Sequence, residues 1–311
     1  MGEKNRPHGP PPCTCCAEPS VIYQQHSHRH LCSTHFIHDV EGRVFLAIEK
    51  NTMIRSGDRI AVALSGGKDS TALLLLLARH LQRRQDASIV AITVDEGIEG
   101  YRHETIGAAQ RLTEKLGVEH RIISFQDLFG DHLDALLKGR EEQACTVCGI
   151  LRKKALVEGA RKVGATKIAT GHNLDDEAQS VLMNALRGDL PRLVRNSRSD
   201  SSGTFIPRIK PLSRISEKEI AVYLVLNDAW TALPECPYTR HALRQEVRTM
   251  LTTLENRHPG TILNLTESKR KIEHYCAGAM VGEPIQKCVL CGDPSSGDLC
   301  QVCLLRHSLG R

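Results

Sequence analysis

The chain has 311 residues, 41% of them apolar, which is enough to bury a core in one large domain or in two domains. Its longest apolar run, TALLLLLA, is far shorter than the roughly 18 to 20 residues that span a bilayer, and its first residues lack the apolar core of a signal peptide. The charge is mildly basic, with 41 Lys and Arg against 36 Asp and Glu. These features exclude a membrane-spanning class, and we expect a folded, soluble, cytoplasmic protein that uses no membrane.

The cysteine content predicts metal binding. Twelve cysteines in a chain without an export signal favour metal ligands over disulfides, because the cytosol keeps thiols reduced. Cys13 and Cys16 form one close pair, and Cys32 with His35 forms another. Two such pairs suit a tetrahedral Zn²⁺ that is closed to water. We therefore predict an N-terminal zinc-binding module in residues 1–38, in which a neighbouring side chain could replace a ligand: Cys15, His26, His28, His30 or His38.

The next segments predict a helix and then an α/β domain. Apolar residues at helical spacing predict a connecting helix over residues 39–58. From residue 59 onward, short β-branched segments alternate with amphipathic ones. We predict strands at RIAVALS, SIVAITV, EHRIIS and KIATG, and helices near residues 69–83, 102–116, 148–163 and 175–187. This alternation is typical of a parallel sheet with helices on both faces, here over residues 59–239.

The hexapeptide SGGKDS, Ser65–Ser70, connects the first predicted strand to the first predicted helix, and we call it the glycine loop. Gly66 and Gly67 let the backbone approach a ligand closely, and the N–H groups at a helix start favour an anion. Ser65 and Ser70 add hydroxyl donors, and Lys68 adds a mobile positive charge. The glycine loop therefore predicts a phosphate site at the carboxyl edge of the sheet.

The glycine loop is not a Walker loop. That motif would need a glycine at Val62 and a hydroxyl residue directly after Lys68, where Asp69 stands. A carboxylate beside phosphates is expected if Mg²⁺ bridges the two or if it caps the helix. The sequence thus indicates a different class of phosphate-binding turn.

Three further cysteines form the central cysteines: Cys145, Cys148 and Cys236. No obvious fourth ligand accompanies them, and three thiolates suit an iron–sulfur cluster that leaves one iron open. Spacing alone leaves two other interpretations. One is a third zinc site completed by Cys276 or a histidine, and the other is a redox dithiol of Cys145 and Cys148.

Residues 187–214 form a basic segment, in which Asp189 and Asp200 are the only acidic residues. It predicts either a polyanion-binding loop or a solvated surface. Its cations are Arg187, Arg192, Arg195, Arg198, Arg208, Lys210 and Arg214.

The C-terminal part of the sequence predicts a charge-rich helical segment over residues 240–283 and a second zinc-binding module over residues 284–311. The four ligands of that module are Cys288, Cys291, Cys300 and Cys303. A structural zinc contributes roughly 10 kcal/mol to folding, so we expect both modules to stabilise the fold and to contact RNA.

Several motifs resemble one enzyme family. The glycine loop resembles the pyrophosphate loop of the ATP pyrophosphatases, which use ATP to adenylate an oxygen and release pyrophosphate. TGHNLDDEAQSVLMNALRGD, Thr170–Asp189, resembles the second signature of their tRNA-modifying branch. With DEGIEGYR, ACTVCGILRKKAL, PECPY and both zinc-binding modules, the chain resembles the tRNA 2-thiouridine synthetases from Cys13 to Cys303. CTVCGILRKKALVEGA and VLMNALRGDLPRL are more similar to the wobble-uridine enzymes than to those acting on the T-loop uridine.

This resemblance implies an adenine nucleotide α-hydrolase-like fold and an ATP site. The β and γ phosphates would lie in the glycine loop, with adenine near Thr93 and Val94. Gly171 and Asp176 would border the nucleotide and the uridine. Asp175 and Asp176 begin the helix predicted near residues 175–187, where each can cap the helix, bind Mg²⁺ or act as a general acid or base. We interpret Asp176 as catalytic and leave Asp175 open between a helix cap and these other roles. Arg152 lies where the family has a basic residue facing the α-phosphate.

The resemblance also implies a two-step reaction. The uridine C2 oxygen attacks the α-phosphorus, with Lys68 and Mg²⁺ stabilising the leaving pyrophosphate, and sulfur then displaces AMP. A [4Fe-4S] cluster on the central cysteines, or a persulfide on one of them, would deliver that sulfur. A ubiquitin-like sulfur carrier protein or free sulfide would supply it, tRNA would be the partner, and the enzyme would be a homodimer.

Proteins with other activities would be expected to show different sequence features. A 2-thiocytidine synthetase shares the glycine loop and the central cysteines but would not be expected to carry both zinc-binding modules. A lysidine-forming or amidotransferase-type adenylating enzyme lacks the central cysteines. A zinc-binding RNA adaptor with an inactive nucleotide fold would yield no ATP-dependent product.

Overall fold

The computed structural model describes residues 9–194, 205–238, 243–276 and 286–308. A two-stranded hairpin, β1 (Ile22–Gln24) and β2 (Arg29–Leu31), precedes the long helix α1 (Ser33–Lys50). Val40, Val44 and Ile48 of α1 are buried, which confirms that their spacing marks a helix. The helix begins earlier than predicted, at Ser33 inside the first cysteine module, and it also ends earlier, at Lys50.

A five-stranded sheet forms the centre of the molecule. Its strands are β3 (Arg59–Ala63), β4 (Ser88–Asp95), β5 (His120–Ser124), β6 (Lys167–Ala169) and β7 (Arg208–Ile209). They lie in the order β5-β4-β3-β6-β7, and every neighbouring pair is parallel. The predicted parallel sheet is therefore confirmed, with β7 as an additional strand.

The first half of the sheet is connected by helices α2 (Lys68–Gln82) and α3 (Arg102–Leu116). Two short helices, α4 (Phe125–Phe129) and α5 (Leu133–Leu136), follow β5, and a 3₁₀ turn at Glu141–Gln143 leads into α6 (Ala144–Lys162). We predicted that α6 would begin at residue 148. It begins four residues earlier, so Cys145 lies in its first turn.

The second half contains α7 (Leu174–Leu186), α8 (Leu190–Val194) and α9 (Glu217–Leu226). The helical segment predicted after residue 240 consists of two helices, α10 (Leu243–Arg257) and α11 (Thr261–Cys276). The last described elements are β8 (Gln286–Lys287), β9 (Pro294–Ser295) and α12 (Gln301–Ser308).

Helices cover both faces of the sheet. Val62 of β3 is fully buried in a core with α1, α2 and α9, while its neighbour Ala61 is fully buried in a second core with α5 and α6. Adjacent residues of a strand point to opposite faces, so a strand buried on both sides must be apolar throughout. No helix in the described residues is both long and apolar enough to cross a membrane.

Candidate active site

The glycine loop lies at the carboxyl end of β3 and leads directly into α2. Gly66 has a φ of +88°, and a side chain there would place its Cβ 2.1 Å from the Thr105 carbonyl oxygen. Only glycine fits this position. The Ser65 N–H donates to Ser70 Oγ at 3.1 Å, and Ser70 Oγ donates to the Gly67 carbonyl at 2.9 Å. These bonds hold the turn in shape, with the N-terminus of α2 facing a potential anion.

Gly171, directly after Thr170 at the end of β6, lies against the glycine loop. A Cβ at Gly171 would stand 3.0 Å from the Asp69 carbonyl carbon. Asp69 in turn accepts a hydrogen bond from the Asn173 side chain at 3.0 Å. The first and second signature motifs therefore meet at adjacent strands of the sheet.

Lys68 is held by two carboxylates. Its Nζ lies 3.0 Å from Asp69 Oδ2 and 3.0 Å from Glu217 Oε1, at the start of α9. Burial lowers the pKa of Lys68, but these two carboxylates raise it by more, and the net shift is upward. Arg248 of α10 also pairs with Glu217. Glu217 thus shares its charge between the lysine of the glycine loop and the helical segment.

The acidic pair at the start of α7 has two different roles in the structure. Asn173 caps α7 by accepting the Asp176 N–H at 2.9 Å, and Asp176 accepts the Asn173 N–H at 3.3 Å. Asp175 instead accepts the N–H of Glu217 at 2.8 Å. The structure therefore excludes one of the roles left open for Asp175, that of the cap of α7. Sequence alone did not show that Asn173 precedes the first helical residue or that α9 begins beside it.

Asp176 points toward the helical segment. Its Oδ1 lies 3.4 Å from a guanidinium nitrogen of Arg244 on α10. Its other oxygen, Oδ2, accepts the Asn173 N–H of the cap, and the side chain remains about one third exposed. A partly exposed carboxylate can bind a metal or move a proton.

The predicted adenine contacts lie at the end of β4. Thr93 is fully buried, and its hydroxyl donates to the Leu64 carbonyl at 2.7 Å. The Val94 carbonyl accepts a hydrogen bond from Arg102. Thr93 therefore fixes the end of β4 to the residue that precedes the glycine loop, and contact with adenine stays a prediction.

The central cysteines lie near one another beside this edge. Cys145 is exposed in the first turn of α6 and donates to the Tyr238 carbonyl at 3.4 Å, next to Cys236. Cys148 lies one turn further on, and burial raises its pKa to about 11. Burial also raises the pKa of Cys236, which interacts electrostatically with Cys145 and Arg152.

The spacing of these three sulfurs does not suit a single zinc ion. Within the described part of the chain, only two groups of three or more potential ligands lie within 4.8 Å of one another, and the central cysteines are not among them. A zinc ion at about 2.3 Å from each sulfur would bring its ligands closer than that. A larger iron–sulfur cluster fits three thiolates at wider spacing, so the donor set is compatible with it.

The two terminal cysteine groups have tighter geometry. In the first, His35 Nδ1 lies 3.6, 3.5 and 3.2 Å from the sulfurs of Cys13, Cys16 and Cys32. In the second, the Cys291 and Cys300 sulfurs are 3.5 Å apart, and Cys288 and Cys303 complete the group. Four ligand atoms at such distances fit around one tetrahedral metal ion. Cys15 and Cys276 belong to neither group among the described residues.

Both terminal groups are joined to helices of the site. Gln24, in the N-terminal hairpin, donates to Asp39 at 2.7 Å and to Glu219 of α9 at 3.1 Å. Asp293, between the C-terminal cysteine pairs, forms ion pairs with Lys154 and Arg161 of α6. The first group therefore supports the helix that begins at Glu217, and the second supports the helix that carries Cys145 and Cys148.

The basic segment is only partly described, because Arg195 and Arg198 lie outside the described residues. Arg192 pairs with Asp189 at 3.2 Å, and Lys210 pairs with Glu177. Burial lowers the pKa of Lys153, and the charges of Arg208 and Arg192 lower it further. Lys153, Arg192 and Arg208 therefore form a cluster of three cations beside α6, and polyanion binding by the basic segment stays a prediction.

Comparison with known proteins decides the family. A family model described as a PP-loop domain matches residues 38–251 of this chain. The chain belongs to the PP-loop family. The tRNA 2-thiolation protein NcsA of Haloferax volcanii is 35% identical, over 96% of this chain and 98% of its own length. Cytoplasmic tRNA 2-thiolation protein 1 of Caenorhabditis elegans is 38% identical, over 99% of this chain and 83% of its own length.

A solved structure supports the same placement within the PP-loop family. The U34-tRNA thiolase NcsA from Methanococcus maripaludis, determined with its [4Fe-4S] cluster, matches 96% of this chain and 97% of its own with a TM-score of 0.84 at 31% identity. Within the PP-loop family, this chain therefore belongs with the tRNA 2-thiolation sulfurtransferases.

Sequence reasoning missed several charged residues of this PP-loop site. They share one property, which is that each reaches the site from an element whose position depends on tertiary packing. Glu96 and Arg102 flank the end of β4, Glu217 begins α9, and Arg244 and Arg248 lie on α10. The motif DEGIEGYR contained the only sequence signal, since it places an acidic residue directly after a buried strand.

Proposed function

We propose that this protein is an ATP-dependent tRNA 2-thiolation enzyme that converts a wobble uridine to 2-thiouridine in the cytoplasm. The observation that supports this best is the position of the glycine loop and Cys148 around one edge of the sheet. Ser65 of the loop and Cys148 both contact arginines that share the carboxylate of Glu96. A phosphate site and a sulfur site that are connected through one shared carboxylate suit adenylation followed by sulfur transfer.

In the first step the glycine loop holds the β and γ phosphates of ATP. Asp69 would hold Mg²⁺, which would neutralise phosphate charge when bound. A new bond forms between the uridine C2 oxygen and the α-phosphorus while the bond to pyrophosphate breaks. Lys68 leaves its carboxylate partners to neutralise the pyrophosphate, because a phosphate group offers it a stronger charge-assisted contact. Asp176 orients the uridine or accepts its N3 proton.

In the second step a sulfur forms a bond to C2 and the bond between C2 and the adenylated oxygen breaks, which releases AMP. Cys145, Cys148 and Cys236 would hold a [4Fe-4S] cluster, which would supply bound sulfide as the nucleophile. Arg152 stabilises negative charge beside Cys148, from which its Nη2 lies 3.0 Å away. The sulfur comes from a ubiquitin-like carrier or from free sulfide, and we include the homodimer in this proposal.

Zinc in the two terminal groups serves the fold. Each set of four ligands encloses its ion, so no position is left open for a substrate. Because the two groups contact α9 and α6, metal binding there holds both helices in place around the site.

The test is thiolation of tRNA that lacks 2-thiouridine. The protein is reconstituted with iron and sulfide without oxygen, then supplied with ATP and sulfide, and the nucleosides are identified by mass spectrometry. We expect 2-thiouridine in the anticodon fragment, formed only with ATP. Lys68→Ala should lower the rate at least about tenfold, while Lys218→Ala, on the exposed side of α9, should not change it.

Three results would contradict the proposal. Thiolated uridine in the T-loop fragment would show that the substrate is the T-loop uridine. Formation of 2-thiocytidine would show that the substrate is a cytidine. Absence of any thiolated nucleoside, combined with tight tRNA binding, would favour an RNA adaptor.

We propose that the three cations beside α6 bind tRNA phosphates. Arg192→Glu should weaken tRNA binding about tenfold and lower the slope of log affinity against log salt concentration. Lys162→Glu, exposed at the far end of α6, is the matched control. Unchanged binding of the Arg192 variant at low salt would contradict this assignment.

A further inference from the structure

A buried carboxylate lies between the glycine loop and the central cysteines. Glu96 follows Asp95 at the end of β4 and is 3% exposed. Its Oε2 lies 2.7 Å from Arg102 Nε, and its Oε1 lies 2.6 Å from Arg152 Nε. A carboxylate at this depth is stable only with such partners, because it has lost its hydration.

The backbone around Glu96 is tightly constrained. Gly97 has a φ of +69°, and a Cβ there would stand 2.2 Å from Nδ1 of His132. The Gly97 N–H donates to Asp95 Oδ1 at 2.9 Å, and the Glu96 carbonyl accepts the Leu133 N–H at 2.8 Å. The carboxylate is therefore presented from a fixed turn.

The two arginines extend in opposite directions from Glu96. Arg102, 5% exposed, donates to the Ser65 carbonyl at 3.3 Å and to the Val94 carbonyl. Arg152 is 51% exposed and reaches the Cys148 sulfur through Nη2 at 3.0 Å. A continuous series of polar contacts therefore runs from the glycine loop to a central cysteine.

Arg152 is the member of this series that faces the site. Its Nε is held by Glu96, while its Nη2 points to sulfur, and a guanidinium can make both contacts because its donors are rigidly spaced. Without the carboxylate, two neighbouring cations would repel each other, and Arg152 would lose its anchor.

We propose that Glu96 is a positioning residue for thiolation, which holds Arg152 in the orientation that stabilises charge at the sulfur-transfer site. Arg102 fixes Glu96 itself to the backbone of the glycine loop. This inference rests on the proposed function, since the charge to be stabilised arises in that reaction. Glu96 acts through Arg152 and contacts no reacting atom.

The test compares Glu96→Gln with Glu99→Gln, an exposed glutamate three residues further along the chain. In the reconstituted enzyme, we expect Glu96→Gln to lower kcat at least about tenfold, with KM for ATP and iron content within about twofold of the control. Glu96→Gln combined with Arg152→Gln should be no slower than Arg152→Gln alone, because the carboxylate acts through that arginine.

A second measurement does not depend on activity. Urea unfolding of the iron-free protein gives a midpoint for each single variant and for the double variant. The change caused by Glu96→Gln should be clearly smaller when Arg152 is already Gln.

Several results would overturn the inference. They are unchanged kcat in Glu96→Gln, loss of iron in parallel with kcat, multiplicative losses in the double variant, or additive urea midpoints. If Glu96→Gln does not fold, Glu96→Asp replaces it, because that variant keeps the buried charge but withdraws it from Arg152. It should show the same loss of kcat, and full kcat would overturn the inference.

Failure of the proposed function gives a different result. In that case the wild-type protein and Glu99→Gln would also form no 2-thiouridine, while the urea midpoints would still show the coupling between Glu96 and Arg152.

Discussion

The terminal cysteine groups and the central cysteines use the same side chain in opposite ways. Each terminal group brings four ligand atoms within 4.8 Å of one another, around the space for one ion. There are only three central cysteines, and they lie further apart from one another. They lie near the guanidinium of Arg152 and the glycine loop. A complete set of four ligands is typical of a metal site that stabilises the fold. An incomplete set beside charged groups is typical of a site that takes part in a reaction.

The comparison also shows how the two kinds of site depend on each other. Asp293 of the second terminal group pairs with Lys154 and Arg161, which follow Cys148 on α6. Loss of a terminal metal should therefore disturb the central site indirectly, while loss of a central cysteine should leave the terminal sites intact.

The largest expected effect is on activity. Cys236→Ser should lower 2-thiouridine formation at least about 100-fold and remove the iron, because two thiolates cannot hold the cluster. The zinc content should change little, and so should the melting temperature relative to the iron-free wild type, since the side chain is only half-buried. Nucleoside mass spectrometry, metal analysis and a thermal melt check these three quantities. Full activity in this variant would show that the central cysteines are not needed for the reaction, which would contradict the contrast with the terminal groups.

The second effect is on stability. Cys300→Ser, in the C-terminal group, should remove one zinc and lower the free energy of unfolding by at least about 3 kcal/mol, because metal binding contributes directly to folding. Urea unfolding with zinc analysis measures this loss. Unchanged stability would show that the group is not a structural metal site.

The third effect depends on pH and concerns Asp39, which connects the N-terminal hairpin to α1. Burial raises the pKa of Asp39, but the hydrogen bond from Gln24 and the charge of Arg43 lower it by more, so the net shift is downward. A carboxyl with a lowered pKa adds stability above its unfolded pKa of about 3.9, and this stability is lost as pH falls through the folded value.

Asp39→Asn should therefore cost about 1 to 2 kcal/mol at pH 7 and less at pH 3. Urea unfolding at both pH values gives the two differences, with Glu49→Gln on the exposed side of α1 as the control. An equal cost at both pH values would show that the charge of Asp39 does not matter.

The smallest effect is expected at Cys15, which is exposed and outside the N-terminal ligand group. Cys15→Ser should leave the zinc content unchanged and shift stability by less than about 0.5 kcal/mol. Loss of zinc in this variant would mean that Cys15 replaces one of the four assigned ligands.

The sheet and its glycine loop could be predicted because their signals are local. In the strand segment SIVAITV, residues 89–92 are apolar and residues 90–94 are buried in succession, as burial on both faces requires, and Gly66 has a φ and a neighbour that exclude a side chain. The two terminal groups were equally predictable, since their ligands stand in close pairs along the chain.

The remainder of the site depends on contacts between distant segments. Lys68 meets Glu217, and Asp176 meets Arg244, only after α9 and α10 have packed beside α2 and α7. The start of α6 was also missed, although Ala144, Val147 and Leu151 are buried and recur at helical spacing from its first residue. Surface charges at long sequence separation leave no periodic signal that a single sequence could reveal.

Metal analysis of protein purified and reconstituted without oxygen tests the contrast between the sites most directly. We predict about four irons with matching acid-labile sulfide and about two zincs per chain, with Cys236→Ser losing only the iron. A colourless protein with about three zincs and no iron would contradict this contrast, because the central cysteines would then be a third structural zinc site.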